Sequence, residues 1–260
     1  MSNDKYHVAL ATDNKYVPYA AAVIASALKH AGQNDSLCFH IIADGVEEKQ
    51  KESLRSLKAL HGKVEFDFIS PNIADLPKVK LTISHISRAS LFRLQLPELL
   101  KGCDKIIYLD CDTIVLDSLK ELWKTDLSNS LMAGVCDYNG RLTSHNNQLG
   151  ITEGKYINSG VLVMNLRRMR EEKISEKFMD TAASMADKLT MGDQDIINIA
   201  LQGRIKCLDL RWNLSSRFFK GDYPDCPYSR TEICEAIRKP GIIHYTSARK
   251  PWTFKTPRHP

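Results

Sequence analysis

The sequence predicts an α/β chain, a single domain whose mostly parallel central sheet is flanked by helices. Three observations carry that expectation. Short apolar runs alternate with amphipathic helical stretches from the start of the chain, the βαβαβ order of a doubly wound sheet. Residues 105–116 form an apolar run that is continuous rather than alternating, as in a strand buried on both faces. The chain has 260 residues, 43% of them hydrophobic and 26% charged, which suits one large core better than several small ones.

Residues 7–12 read as the first strand. Pro18 then fits the first turn of a helix that continues over 19–30 and stops before Gly32. Between them, Asp13 and Tyr16 sit in a polar turn, the layout of a nucleotide pocket at the carboxyl edge of a parallel sheet. Taken alone, the turn is read more simply, with Asp13 as a cap and Tyr16 as a packing residue. Residues 37–43 and 64–69 read as further strands around a helix at 46–61. The first turn lacks Gly-x-Gly-x-x-Gly, which argues against a nicotinamide or flavin cofactor. Residues 84–100 read as a helix capped by Ser84 or Ser87. Within it Arg93, between Phe92 and Leu94, is either a snorkelling surface residue or a buried cation with its own anionic partner.

The run at 105–116 ends in Asp110-Cys111-Asp112. In extended backbone the two aspartates lie on one side and repel unless a cation sits between them. Such a pair favours a hard divalent ion, Mn²⁺ or Mg²⁺, with open positions for phosphate oxygens. The plainer alternative is that Asp112 begins a turn and Asp117-Ser118 caps the next helix. Further on, 119–123 reads as a helical turn and 131–135 as a strand ending at Asp137. Residues 139–153 read as a loop beside the site, and Asn158-Ser159-Gly160 leads into a strand. Residues 166–188 read as a helix whose Arg167, Arg168 and Arg170 form a solvated basic face. Asp193 and Asp195 suit the first turn of the helix after Gly192, where the macrodipole favours acids. Residues 205–210 read as a strand. His244 ends the last one, a position more often structural than ligating, and Lys250-Pro251-Trp252 follow in coil.

Composition narrows the function classes. Net charge of +5 is a mild bias toward anionic partners, without the dense Lys/Arg footprint of a nucleic-acid binder. Nucleotide phosphates or a peripheral contact with an anionic membrane surface both fit it. Seven cysteines without a Cys-x-x-Cys pair read as reduced core residues rather than a disulfide frame or a zinc site. Residues 1–5 lead into no signal-peptide core, and the longest apolar stretch, 19–28, is too short to span a bilayer. The expected location is therefore cytoplasmic, with the inner face of the cell membrane as the place of any peripheral contact. No feature sets an oligomeric state.

Ala11-Thr12-Asp13 with Tyr16, Arg93 ahead of Asp110-Cys111-Asp112, Asn158-Ser159-Gly160-Val161, Gly192-Asp193-Gln194-Asp195, and His244-Tyr245 with Lys250-Pro251-Trp252 stand in an order that resembles glycosyltransferase family 8. The resemblance runs from about Val8 to Trp252. It implies a single GT-A type domain with a Rossmann-like sheet, residues 1–115 forming a nucleotide-binding half. Residues 116–260 form the acceptor and sugar half, with a C-terminal metal and pyrophosphate loop. It implies a retaining transferase that moves glucose or galactose from a UDP-sugar to a glycan, glycolipid or lipopolysaccharide hydroxyl. The metal would be Mn²⁺, with Mg²⁺ as the alternative, held by Asp110, Asp112 and His244. Asp13 and Tyr16 match the uracil-reading and uracil-stacking positions, with Ala11 and Thr12 beside them in the nucleotide-binding set, Cys111 lies within the metal motif, Lys250 matches the cation that meets the pyrophosphate, and Ser247 lies in the same loop. Arg93, Asn158, Ser159, Asp193 and Gln194 match the donor-sugar grip, with Gln194 near the anomeric carbon and Asp193 the candidate nucleophile of a two-step route. Lys15 and Ser247 depart from the asparagine and glycine common in bacterial relatives. A glycogenin-like self-glucosylating protein and a non-catalytic sugar-nucleotide binding module are the alternative functions.

Overall fold

The computed structural model describes residues 5–77, 88–138, 142–151, 155–221, 226–246, 248 and 250–253. Ten strands are present among them: β1 (Lys5–Asp13), β2 (Ser36–Asp44), β3 (Val64–Ile69), β4 (Ile106–Leu109), β5 (Thr113–Val115), β6 (Met132–Cys136), β7 (Ile157–Met164), β8 (Ile205–Cys207), β9 (Leu214–Ser215) and β10 (Ile242–His244). A seven-stranded sheet runs in the order β3-β2-β1-β4-β7-β6-β8. All its pairs are parallel except β7 with β4 and with β6. The expected mostly parallel α/β sheet is therefore observed. A second, three-stranded sheet has the order β5-β10-β9.

Helices cover both faces. They are α1 (Val17–Lys29), α2 (Glu48–Arg55), α3 (Leu96–Leu99), α4 (Lys120–Trp123), α5 (Leu142–Leu149), α6 (Leu166–Glu171), α7 (Ile174–Ser184), α8 (Asp193–Ala200) and α9 (Arg230–Arg238). Val8, Leu10 and Phe39 pack with Val23 and Ile24 of α1 in one core layer. Ala9, Tyr108 and Leu162 pack with Phe178 of α7 and Ile197 of α8 in the other. Alternate residues of one strand thus feed opposite layers, as the strand period of two requires. Pro18 sits in the first turn of α1, and Ser229 with Glu232 closes a capping box on α9.

Several elements differ from expectation. The run at 105–116 is two strands in two sheets, with Asp110, Cys111 and Asp112 in the turn between them rather than in extended backbone. The stretch read as a helix over 84–100 is a 3₁₀ segment, Arg88–Gln95, followed by the single turn of α3; Ser84 and Ser87 lie outside the described residues. The helix at 46–61 becomes α2 plus a 3₁₀ turn at Ser56–Leu60. The stretch 166–188 is broken at Lys173, which adopts φ 53° and separates α6 from α7. The strand read over 205–210 is limited to Ile205–Cys207. The expected loop at 139–153 contains α5. Arg168 and Arg170 are not a free solvated face: Arg170 Nη1 donates to the carbonyl of Cys103 (2.9 Å) and Arg168 Nη1 to that of Ser128 (2.7 Å). Among the described residues no helix is long and apolar enough to cross a membrane.

Candidate active site

The cleft opens at the carboxyl ends of β1 and β4, where ligands of open α/β sheets bind. β4 delivers Asp110, and the chain then crosses into β5. That turn is pinned by Asp110 N–H donating to the Gly160 carbonyl (2.8 Å), Thr113 Oγ1 to the Asp110 carbonyl (2.8 Å) and Tyr245 N–H to the Asp112 carbonyl (3.0 Å). The carboxylates of Asp110 and Asp112 and the ring of His244 nevertheless converge, their donor atoms all within 4.8 Å of one another. His244 Nε2 lies 3.1 Å from Asp112 Oδ1 and 3.8 Å from Asp110 Oδ2.

A chain of amides sets the ring's tautomer. Asn213 Nδ2 donates to Asn158 Oδ1 (2.9 Å), which leaves Asn213 Oδ1 to accept from His244 Nδ1 at 2.9 Å. With Nδ1 donating to Asn213, Nε2 is the ring atom that faces the two carboxylates and the one available to a cation bound between them. Two hard oxygens and one imidazole nitrogen fit a divalent ion of the manganese type. Lys250 already supplies a positive charge there, its ammonium donating to Asp112 Oδ2 and to the Tyr245 carbonyl. Burial opposes ionisation of Asp112, but His244 and Lys250 outweigh it and hold the group well below the usual carboxylate range.

Arg93 faces the second wall. It is buried, and its guanidinium donates to Asp110 Oδ1 (2.7 Å), to the Ser90 carbonyl (2.8 Å) and to the Ser159 carbonyl, beside Asp193 Oδ2 at 3.1 Å. The dedicated anionic partner is therefore present. Desolvation disfavours the cation, yet Asp110 and Asp193 more than compensate and keep it protonated. Asp193 and Gln194 project from the first turn of α8, entered through Gly192 at φ 59°. Asp193 Oδ2 accepts from Ser159 Oγ (2.8 Å), and burial raises its carboxyl above the ordinary range despite Arg93. Gln194 Oε1 accepts from Asn158 Nδ2 and Ser159 N–H, each at 3.1 Å, while its Nε2 donates to Asp137 Oδ2 at 2.9 Å. Asp195 points away from the cleft, accepting from Tyr156 Oη, His145 Nε2 and the N–H groups of Thr190 and Met191. Asp193 and Asp195 stand in the first turn of α8 as expected, and these specific contacts add to the macrodipole.

The remaining expected residues divide. Ala11, Tyr16 and Cys111 line the cleft, but the Cys111 thiol is spent on the Ala11 carbonyl at 3.2 Å. Thr12 is fully buried, and neither it nor Asp13 lines the cleft. Asp13 Oδ1 accepts from the N–H groups of Lys15 and Tyr16, both at 2.9 Å, so it does cap the turn. Ser247 lies outside the described residues. Two residues not singled out in sequence position the site, Asp137 through Gln194 and Asn213 through His244. Asp137 had a faint signal, its place just past the carboxyl end of a strand; Asn213 had none.

Gly160 explains why the motif brings a glycine here. A Cβ at this position would stand 2.1 Å from His244 Cε1 and 2.9 Å from Asp110 Oδ2. Gly160→Ala is expected to cost about 1–3 kcal/mol of stability, because the ring and carboxylate must both yield. A melting curve checks this, and a parent-like melting temperature would show that the ring and carboxylate make room at no cost.

Residues 7–256 match the family model of glycosyl transferase family 8. The general stress protein A of Bacillus subtilis is 27% identical over 263 residues, covering 98% of this chain and 89% of that protein. The lipopolysaccharide 1,2-glucosyltransferase of Escherichia coli is 30% identical over 261 residues, covering 96% of this chain and 74% of that protein. The solved structure of the galactosyltransferase LgtC in complex with donor and acceptor sugar analogues aligns with a TM-score of 0.83 at 27% identity, over 95% of this chain and 89% of LgtC. With the match extending across both walls of the cleft and nearly all of the sequence, the chain belongs to glycosyl transferase family 8.

Proposed function

We propose that the protein is a retaining hexosyltransferase that moves glucose or galactose from a UDP-sugar to a hydroxyl of a glycan, glycolipid or lipopolysaccharide acceptor, with Mn²⁺, or alternatively Mg²⁺, at the diphosphate. The observation that carries this reading is the convergence of Asp110, Asp112 and His244 opposite Arg93, Asp193 and Gln194 in one cleft. One side suits a metal diphosphate and the other a polyhydroxylated sugar.

Breaking the sugar–phosphate bond places negative charge on departing UDP and positive charge on the anomeric carbon. A divalent ion held by Asp110, Asp112 and His244 would supply Lewis-acid stabilisation of the first. Lys250 is a fixed cation within reach of the same oxygens, and an arriving diphosphate competes with Asp112 for it. Tyr16 and Ala11 line the cleft at the mouth of β1, where the Tyr16 ring would stack on uracil, while Asp13 caps the turn that presents Tyr16. On the sugar side Asn158 and Ser159 hold Gln194 still through its carbonyl, and Asp137 holds its amide, so the group nearest the anomeric carbon arrives pre-oriented.

Retention requires either a covalent intermediate or attack from the face of departure. Gln194 is a poor nucleophile, and Asp193 would have to give up Ser159 Oγ and Arg93 to become one. Front-face attack is favoured, with the leaving phosphate oxygen taking the acceptor's proton. Asp193→Asn is expected to retain donor turnover within about 10²-fold of the parent, against a loss of about 10⁴-fold or more if Asp193 were the nucleophile.

Release of UDP from a panel of UDP-sugars, with Mn²⁺ or with EDTA, tests the proposal. Turnover of one hexose donor that falls by at least about 10²-fold in EDTA is expected. If no UDP-sugar binds or turns over, the donor assignment fails.

A further inference from the structure

A second cluster of metal-type ligands lies on the same sheet, near the opposite ends of the strands. His7 of β1 is placed directly across from Cys38 of β2 by the parallel register, and His40 follows two residues on, so all three side chains leave the same face as Ala9. His7 is four residues upstream of Ala11, about 13 Å along the strand at ~3.3 Å per residue, so these side chains take no part in the cleft. His7 Nδ1 stands 2.9 Å from His40 Nε2, and the donor atoms of His7, Cys38 and His40 all lie within 4.8 Å of one another. Cys103, from the turn before β4, brings its Sγ to 3.7 Å from His40 Nε2.

We propose that His7, Cys38 and His40, with Cys103 as fourth donor, form a structural site for a borderline divalent metal of the zinc type. Two imidazoles and two sulfurs are the ligand set such ions select over the hard ions of the cleft. Zinc–nitrogen bonds of ~2.0–2.1 Å and zinc–sulfur bonds of ~2.3 Å place tetrahedral donors about 3.3–3.8 Å apart, so the pair at 3.7 Å already fits and the two rings need to part by only a few tenths of an ångström. The outer contact is also present: His40 Nδ1 lies 3.0 Å from Asp67 Oδ2, the carboxylate-to-imidazole bond that orients a ligating histidine and turns its Nε2 lone pair inward. His7 is half-buried and Asp67 exposed, which gives an ion a route from solvent. Because the ligands come from three separated segments, no Cys-x-x-Cys spacing announces them. The ion would tie the first two strands to the turn that launches β4.

Cobalt(II) is the probe, added to chelator-stripped full-length protein and to its Asp112→Asn variant. Coordination here gives a thiolate-to-cobalt charge-transfer absorption, which the oxygen and nitrogen ligands of the cleft cannot produce. The band is expected at one equivalent in both proteins, to be lost in Cys38→Ser and diminished in Cys103→Ser. It should also be lost in His7→Gln, whose half-buried position makes it the safer variant for folding. Zinc at about 100 times its Kd is expected to raise the melting temperature of the parent by roughly 5 °C or more, and that of His7→Gln far less. Absence of the band, with no thermal shift, overturns the site and leaves the quartet as a hydrogen-bonded core cluster. A band that survives Cys38→Ser and Cys103→Ser together also overturns it, and assigns the metal to other thiols, such as Cys136 and Cys207, whose sulfurs approach to 2.8 Å.

Discussion

Asp112→Asn is expected to lower UDP release from the preferred donor by about 10³-fold, close to 4 kcal/mol of transition-state stabilisation. The amide has nearly the shape of the acid but lacks its charge, and every neighbour of Asp112 is arranged for that charge. His244 Nε2 stands 3.1 Å from one carboxylate oxygen and Lys250 donates to the other. Because His244 and Lys250 hold Asp112 well below the usual carboxylate range, the parent keeps this ligand ionised near neutral pH, and metal binding there needs no deprotonation of it. The variant loses one of two carboxylates in the ligand set and leaves the buried Lys250 ammonium with the Tyr245 carbonyl as its remaining partner. A stability loss of about 1–3 kcal/mol should accompany the catalytic one. Manganese affinity, followed by the spectroscopic signal of the free ion, separates the two effects. Turnover within tenfold of the parent at saturating Mn²⁺ would remove Asp112 from the donor site.

The order of the strands was legible because apolar runs punctuated by Asp, Gly and Pro carry it locally, and β1, β2 and β3 fall where the pattern puts them. The aspartate pair was legible as chemistry but not as geometry. Extended backbone would have aligned the two side chains, whereas the observed turn does so because Gly160 of β7, Thr113 at the start of β5 and Tyr245 just past β10 hold it, and two of these three contacts are distant in sequence. Helix boundaries failed where local propensity is weak. Residues 142–149, with Thr, Ser, His and two Asn, look like a loop, yet they form α5, whose His145 reaches Asp195 some 50 positions away. The break at Lys173 is a left-handed residue that is not glycine, a conformation that composition does not signal.

Arg93 marks the same boundary from the other side, since its sequence context allowed both a surface and a buried reading. The positioning residues were the least visible. Asp137 meets Gln194 across 57 positions and Asn213 meets His244 across 31, and each is an ordinary polar residue until the sheet closes. Their importance lies in the tautomer and amide orientation they impose, properties that belong to a hydrogen-bond chain rather than to any one residue.

Arg93→Met is expected to be the most damaging single change to stability, a loss of about 3–5 kcal/mol, or roughly 10 °C in melting temperature. The side chain is 3% exposed and its guanidinium lies over the ring of Tyr108 at 4.4 Å while facing Asp110 and Asp193. Methionine fills much of the volume, so the loss comes from two carboxylates left without their shared cation. Asp193, already raised by burial, then rises further, because Arg93 is the main influence acting against that rise. The sign of the pH dependence follows. A carboxyl whose folded pKa exceeds its unfolded value binds more protons in the native state, so stability falls as pH increases from the unfolded value toward the folded one. The deficit of Arg93→Met relative to the parent should therefore be largest near neutrality and shrink as pH is lowered toward the raised value that Asp193 has in the parent. Arg93→Lys should recover only part of the loss, since one ammonium cannot replace donors that reach Asp110 and the carbonyls of Ser90 and Ser159 together. Denaturant unfolding of the three proteins at pH 7.5 and near pH 5 measures both trends. A methionine variant within about 1 kcal/mol of the parent at both pH values would show that Asp110 and Asp193 do not depend on Arg93 for their charge, and the second wall of the cleft would need another account.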